Sequence, residues 1–190
     1  SGDIGDAGNN TDNCFHVVVG AGNVGLAELN GFTITKGNAV PFSPQFINGF
    51  AIKAEEGGAI HLNTASPAIV NCIIRDNYAI FGSGIHTYNL AATLNIDSCT
   101  FLNNKSQNLG AALKFEKGSG TGNVEVKNCN FKANISNGNG GVACIHGVPA
   151  RFINCLASGN RIGSNNQGIF HVMMNATATF DNCTIAGNAG

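Results

Sequence analysis

The sequence predicts an all-β fold: a right-handed, single-stranded parallel β-helix with three short strands per turn and about six to seven turns. Three observations predict it. Five times the chain writes Cys, four residues, then Asn: Cys72 to Asn77, Cys99 to Asn104, Cys129 to Asn134, Cys155 to Asn160 and Cys183 to Asn188. The five cysteines lie 27, 30, 26 and 28 residues apart. A period in that range marks a repeat architecture. The constant Cys-to-Asn offset means one segment of each repeat is templated and the length variation falls in loops. Second, short segments alternate apolar and polar residues, the pattern of half-buried strands. Third, Gly occurs 26 times, Trp is absent and charged residues make up only 11%. Asn and Gly in that abundance disfavour helix interiors and suit short strands joined by tight corners.

The elements follow in chain order. A partial first turn starts at Phe15-His16-Val17-Val18-Val19, and Leu29-Asn30-Gly31-Phe32-Thr33-Ile34 fits the cysteine template with Phe32 in the Cys place. Residues 35–56, with Pro41, Phe42, Pro44, Phe46 and Phe50, are too long for a tight corner and are expected to fold over one face as an insertion. Each later turn opens on a Gly-rich strand: Gly57 to Leu62, Gly82 to Thr87, Gly110 to Phe115, and rougher copies at Gly140 to His146 and Gly168 to Val172. A second strand reads Leu94-Asn95-Ile96, Val124-Glu125-Val126, Ala150-Arg151-Phe152 and Ala178-Thr179-Phe180. The third is the cysteine segment. Before each Cys stands Asn71, Ser98, Asn128, Asn154 or Asn182, and before Phe32 stands Gly31. Asn and Gly are the residues that accept positive φ, so this corner is expected to be left-handed in nearly every copy. The whole chain, 1–190, is expected to be one domain, open at both ends.

Cys72, Cys99, Cys129, Cys155 and Cys183 form an expected inward ladder, and Asn77, Asn104, Asn134, Asn160 and Asn188 a polar ladder at the following corner. Adjacent turns bring ladder cysteines within the Cα range a disulfide accepts, but side chains in register point the same way, and five stacked positions do not pair off. Free Cys as a small buried hydrophobe is the favoured reading. Cys14 and Cys144 lie off the ladder, with exposure open for either.

Each histidine follows a bulky apolar residue: Phe15-His16, Ile60-His61, Ile85-His86, Ile145-His146 and Phe170-His171, with Leu113-Lys114 in the remaining turn. If the apolar residue points in, the next points out. His16, His61, His86, Lys114, His146 and His171 are therefore expected in one external column, with Tyr88 and Glu116 on the same face. Three readings stay open. The favoured one is a solvated polar column; the others are a face for carbohydrate or an acidic partner, and capture of a divalent metal. No carboxylate is assigned to complete a metal shell, so neither a metal nor another cofactor is expected.

Function classes narrow from composition. A net charge of −1 without a basic cluster excludes nucleic-acid binding through phosphate neutralisation. No apolar run reaches the roughly 20 residues that span a bilayer as a helix. Polysaccharide cleavage needs grouped carboxylates or a carboxylate with Lys or Arg. The one candidate cluster is His61, His86, Tyr88, Lys114 and Glu116, and no catalytic residue is assigned. The outward residues Thr33, Ile73, Thr100, Asn130, Leu156 and Thr184 are too irregular for an ice-binding face.

The Gly-Gly-Ala-Ile strand and the Asn-Cys-x-Phe/Ile-x-x-Asn strand resemble the repeats of chlamydial polymorphic outer-membrane proteins and related bacterial surface β-helix proteins. Ser1-Gly2-Asp3-Ile4, Phe15-His16-Val17-Val18 and Leu29 to Ile34 resemble that group's first turns. The resemblance covers nearly the whole chain. It implies an extracellular or surface-displayed passenger, an adhesin or structural stalk, with no catalytic residues to carry over. Expected partners are the chain itself, stacking end to end or against adjoining β-helix turns, and a carbohydrate or host-surface ligand.

Overall fold

The computed structural model describes residues 1–40, 43–163 and 167–190; Pro41 and Phe42 of the expected insertion lie outside them. The first turn carries β1 (Val18–Ala21), β2 (Glu28–Asn30), β3 (Thr33–Thr35) and β4 (Asn38–Ala39). A hairpin follows, β5 (Pro44–Ile47) and β6 (Phe50–Lys53). The second turn is β7 (Ile60–Asn63), β8 (Ala68–Val70), β9 (Ile73–Arg75) and β10 (Tyr78–Phe81). The third is β11 (Ile85–Tyr88), β12 (Leu94–Asp97), β13 (Thr100–Leu102) and β14 (Lys105–Leu109). The fourth is β15 (Leu113–Glu116), β16 (Val124–Lys127), β17 (Asn130–Lys132) and β18 (Ile135–Ser136). The fifth is β19 (Ala143–His146), β20 (Ala150–Ile153), β21 (Leu156–Ser158) and β22 (Arg161–Ile162). The last rung holds β23 (Phe170–Met173), β24 (Ala178–Asp181) and β25 (Thr184–Ala186). Among the described residues there is no helix.

Equivalent strands pair in parallel from turn to turn, which makes the molecule a parallel β-solenoid. It has four sheets where three were expected: β1-β7-β11-β15-β19-β23, β2-β8-β12-β16-β20-β24, β3-β9-β13-β17-β21-β25 and β4-β10-β14-β18-β22. The fourth runs through residues just beyond the Asn ladder. Its strands shrink to two residues, as at Asn38–Ala39 and Arg161–Ile162, too short to show alternation. Four turns, the second to the fifth, are complete and stacked on both sides. The expected count of six to seven took in the terminal rungs, each of which has a neighbour on one side only.

The core follows from register. Ile34, Ile74, Phe101, Phe131 and Ala157 stack in the cysteine sheet, and Ile69, Ile96, Val126 and Phe152 in the sheet before it. Phe101, Phe115, Phe131 and Phe152 are fully buried. Each contributes about 1.5–3 kcal/mol by leaving water. Phe101 and Phe131 stack with ring centroids 4.9 Å apart. In the next turn Ala157 takes the Phe place, and Phe152 of the neighbouring sheet meets Phe131 edge-on at 6.5 Å.

Left-handed corners stand where the sequence places them: Asn71, Ser98, Asn128, Asn154 and Asn182 have φ of 51–54°, and Gly31 has 79°. The carbonyl two residues before each cysteine accepts a backbone N–H from the neighbouring turn, and the thiol adds a second donor to it: Cys72 to Val70, Cys99 to Asp97, Cys129 to Lys127, at 3.1–3.2 Å. All seven cysteines are free. At the next corner the buried amides use every donor and acceptor. Asn134 Oδ1 accepts from the backbone N and from Nδ2 of Asn104, at 3.1 and 3.0 Å. Its own Nδ2 donates to the Phe101 carbonyl and to Asn160 Oδ1, both at 2.9 Å. The pattern runs from Asn77 through Asn160 to Asn188.

Residues 35–56 divide. Their start completes the first turn with β4, and the hairpin packs beside β7, where Asn63 Nδ2 donates to the Ala51 carbonyl at 2.8 Å.

Candidate functional site

The outward face of the first sheet carries two rows rather than one column. Register aligns Val19, His61, His86, Lys114, Cys144 and His171 in the first. The second holds Asn63, Tyr88, Glu116, His146 and Met173. His146 therefore stands beside Glu116, and Cys144 takes the place beside Lys114. The reason is the left-handed glycine that opens each strand. The inward residue lies three positions after Gly57, Gly82, Gly110 and Gly140, which makes Ala143, not Ile145, the partner of Leu113. His16 precedes β1 and is out of register, but its ring lies 5.2 Å from that of His61.

The first row is also not external. His61 is 1% exposed, His86 0% and Lys114 5%. The chain doubles back over this face. Gly82, at φ 61°, lets the backbone approach so closely that a Cβ there would sit 3.0–3.1 Å from the Cβ atoms of Lys114 and His86. Phe81 lays its ring 4.8 Å from Lys114 Nζ. From the hairpin side comes Glu56, 3% exposed, which stands between β6 and β7. Its signal in the sequence is slight: an acidic pair, Glu55-Glu56, in a charge-poor chain, directly before Gly57-Gly58.

Glu56 organises the cluster. Its Oε1 lies 3.3 Å from Lys53 Nζ and 3.6 Å from Lys114 Nζ, and its Oε2 lies 3.3 Å from His86 Nδ1. Lys114 pairs with Glu116 on its other side and approaches His86 Nε2 at 3.3 Å. Glu116 Oε2 is 3.6 Å from the same His86 nitrogen. A carbonyl only accepts, so His61 Nδ1 donates to the Glu56 carbonyl (3.1 Å) and His16 Nδ1 to the Gly57 carbonyl (2.9 Å). Both rings thus keep Nε2 unprotonated. His86 Nδ1, 3.3 Å from Glu56 Oε2, is buried and makes no aligned hydrogen bond.

Two carboxylates and two ammonium groups balance while the imidazoles stay neutral, and the environment keeps them so. Burial drives the His61 pKa down to about 2, helped by repulsion from His86 and His16. Burial also lowers that of His86, outweighing the attraction of Glu56 and Glu116. Burial opposes ionisation of Glu56, yet His86, Lys114 and Lys53 together bring its pKa below the usual range. The Glu116 carboxyl is held well below its ordinary value by the neighbouring His86 ring and by Lys114. Cys144, buried beside Lys114, has its thiol pushed up to about 11 by desolvation.

Of the expected ligand face, then, His61, His86 and Lys114 converge with Glu116 in a closed, charge-balanced cluster, and His16 flanks it. Tyr88, 36% exposed, His146 and His171 remain along the open part of the face. Comparison with protein-family models, with curated proteins and with solved structures finds no match for this chain.

Proposed function

We propose that the chain is a non-catalytic structural or adhesive β-solenoid that works outside the cell or on its surface. In it, end-to-end stacking against another copy or against adjoining β-helix turns extends the sheets. The repeat resemblance to chlamydial-type surface passengers supports the setting. One observation carries the stacking: the core columns run on into β23, β24 and β25, where their apolar side chains face along the axis. Val172, Phe180 and Ile185 continue the inward columns of Ile145, Phe152 and Ala157, and are 40%, 39% and 49% exposed along the axis. Beside them run the unpaired outer edges of β23, β24 and β25, a template for further parallel strands. The other end is partly covered, with Gly2 N donating to the Thr35 carbonyl and Asn38 N to that of Cys14. A saccharide-processing face has less support, because Lys114 and His86 are sealed beneath Phe81 and Glu56. Light scattering and negative-stain microscopy of the purified chain test the proposal. Concentration-dependent rods that Ile185→Lys abolishes are expected; a monomer at high concentration overturns stacking.

A further inference from the structure

We propose that Glu56, His61 and His86 form a site for a divalent cation of the zinc type, with Glu56 Oε2, His61 Nε2 and His86 Nδ1 as its three protein ligands. One ligand atom from each residue already falls within 4.8 Å of the others, and all three residues are buried. Tetrahedral zinc with bonds of about 2.0–2.1 Å sets its ligands roughly 3.3 Å apart. Glu56 Oε2 and His86 Nδ1 are at 3.3 Å, so the third ligand needs a contraction of about 1.5 Å at most.

Two further observations point to a ligand. His86 Nδ1 is fully buried, has no hydrogen bond and faces Glu56. His61 shows the outer-shell arrangement typical of metal-binding histidine: Nδ1–H is committed to a backbone carbonyl, which fixes the ring and leaves Nε2 as a donor. The carboxylate divides its work, with Oε1 taking Lys53 and Lys114 and Oε2 turned to the imidazole.

The charges around the site set its chemistry. Beside its three ligands stand His16 ahead of β1, Lys53 on β6, and Lys114 and Glu116 on β15. The ion needs the lone pair at His86 Nδ1. The ring proton then sits on Nε2, which faces Glu116 Oε2 3.6 Å away. Lys114, now 3.3 Å from that nitrogen, withdraws onto Glu116 and the Phe81 ring. The ammonium and the cation therefore compete. This inference is independent of the stacking proposal: it concerns a closed cluster on β7, β11 and the segment before them, not β23 to β25, and applies equally to a monomer.

The test uses the purified whole chain and the metal alone. Titration with Co(II) should give one equivalent of saturable binding with the visible absorption of a tetrahedral site, displaced by Zn(II). Glu56→Gln should weaken Zn(II) binding about tenfold or more, and Lys114→Gln should tighten it. Nitrogen NMR of the wild-type chain needs no variant. With Zn(II), the ring signals of His61 and His86 should shift while those of His146 and His171, on β19 and β23, stay in place. No saturable binding, affinity unchanged in a folded Glu56→Gln, or shifts confined to His146 and His171 would overturn the site. If Glu56→Gln does not fold, the wild-type NMR result decides.

Discussion

Asn134 uses both lobes of its amide on two neighbouring turns, so no other side chain replaces it. Asn134→Ala orphans the Asn104 backbone N–H and one hydrogen of its Nδ2 inside the core, at about 1–3 kcal/mol per unsatisfied group, while Asn160 Oδ1 keeps the backbone N–H of residue 134. Chemical denaturation should register a loss of about 3–5 kcal/mol, as large as the cavity left by Phe131→Ala. Ala133, immediately before it, holds φ 54°, a conformation that costs an L-residue about 1–2 kcal/mol. The equivalent residues are Gly159 and Gly187 in later turns. Ala133→Gly should therefore raise stability by up to about 1 kcal/mol, after the extra entropy of glycine in the unfolded chain, and show as a higher Tm. The Cys and Asn columns were legible because one residue recurs at a fixed offset, and repetition substitutes for an alignment. Glu56 was not, because it belongs to a hairpin that occurs once, and nothing repeats to reveal where it lands.

The first sheet and the hairpin over it share a dependence on neutral imidazole. His61 and His86 titrate lower in the folded chain than in the unfolded one, so the unfolded state binds more protons as pH falls through the ordinary histidine range. Their stabilisation is complete above about pH 6.5 and is lost on acidification. Glu56 and Glu116 add a second loss below the ordinary carboxylate range, again because their folded pKa values are depressed. Tm measured from pH 7.5 to 5 should fall steadily, and His61→Gln should flatten that slope; a pH-independent Tm would contradict the buried cluster. The alternation of each first strand was readable, and so was the outward direction of its polar residues. Their burial was not, since strand periodicity reports which side a residue faces and not what lies over that side. The misplacement of His146 has a simpler origin: its bulky neighbour Ile145 looks like Ile60 and Ile85, whereas register is counted from the left-handed glycine.

For the solenoid as a whole, what was legible was the stacking of turns, and what was hidden was the fourth sheet. Strands such as Ile135–Ser136 owe their conformation to the neighbouring turns, with Ser106 Oγ donating to Ser136 Oγ at 3.0 Å, and carry almost no pattern of their own. Because each turn contacts chiefly its neighbours, stability should be close to a sum over turns and interfaces. Deleting Cys99 to Asn128 joins Ser98 to Cys129 and removes one period of 30 residues between equivalent points. The shortened chain should keep its circular-dichroism spectrum and lose one rung of about 4.8 Å in length, measurable by small-angle scattering. A random-coil spectrum would show that turns are not interchangeable.

The constant spacing from Cys to Asn has a consequence for inheritance. A crossover between two gene segments that meets the same point of two periods yields a protein with one turn more or fewer, every ladder still in register. Differences in loop length ride along without disturbing it. The unit that descent can copy, lose or trade is therefore the turn, and the length of such a molecule becomes a countable trait.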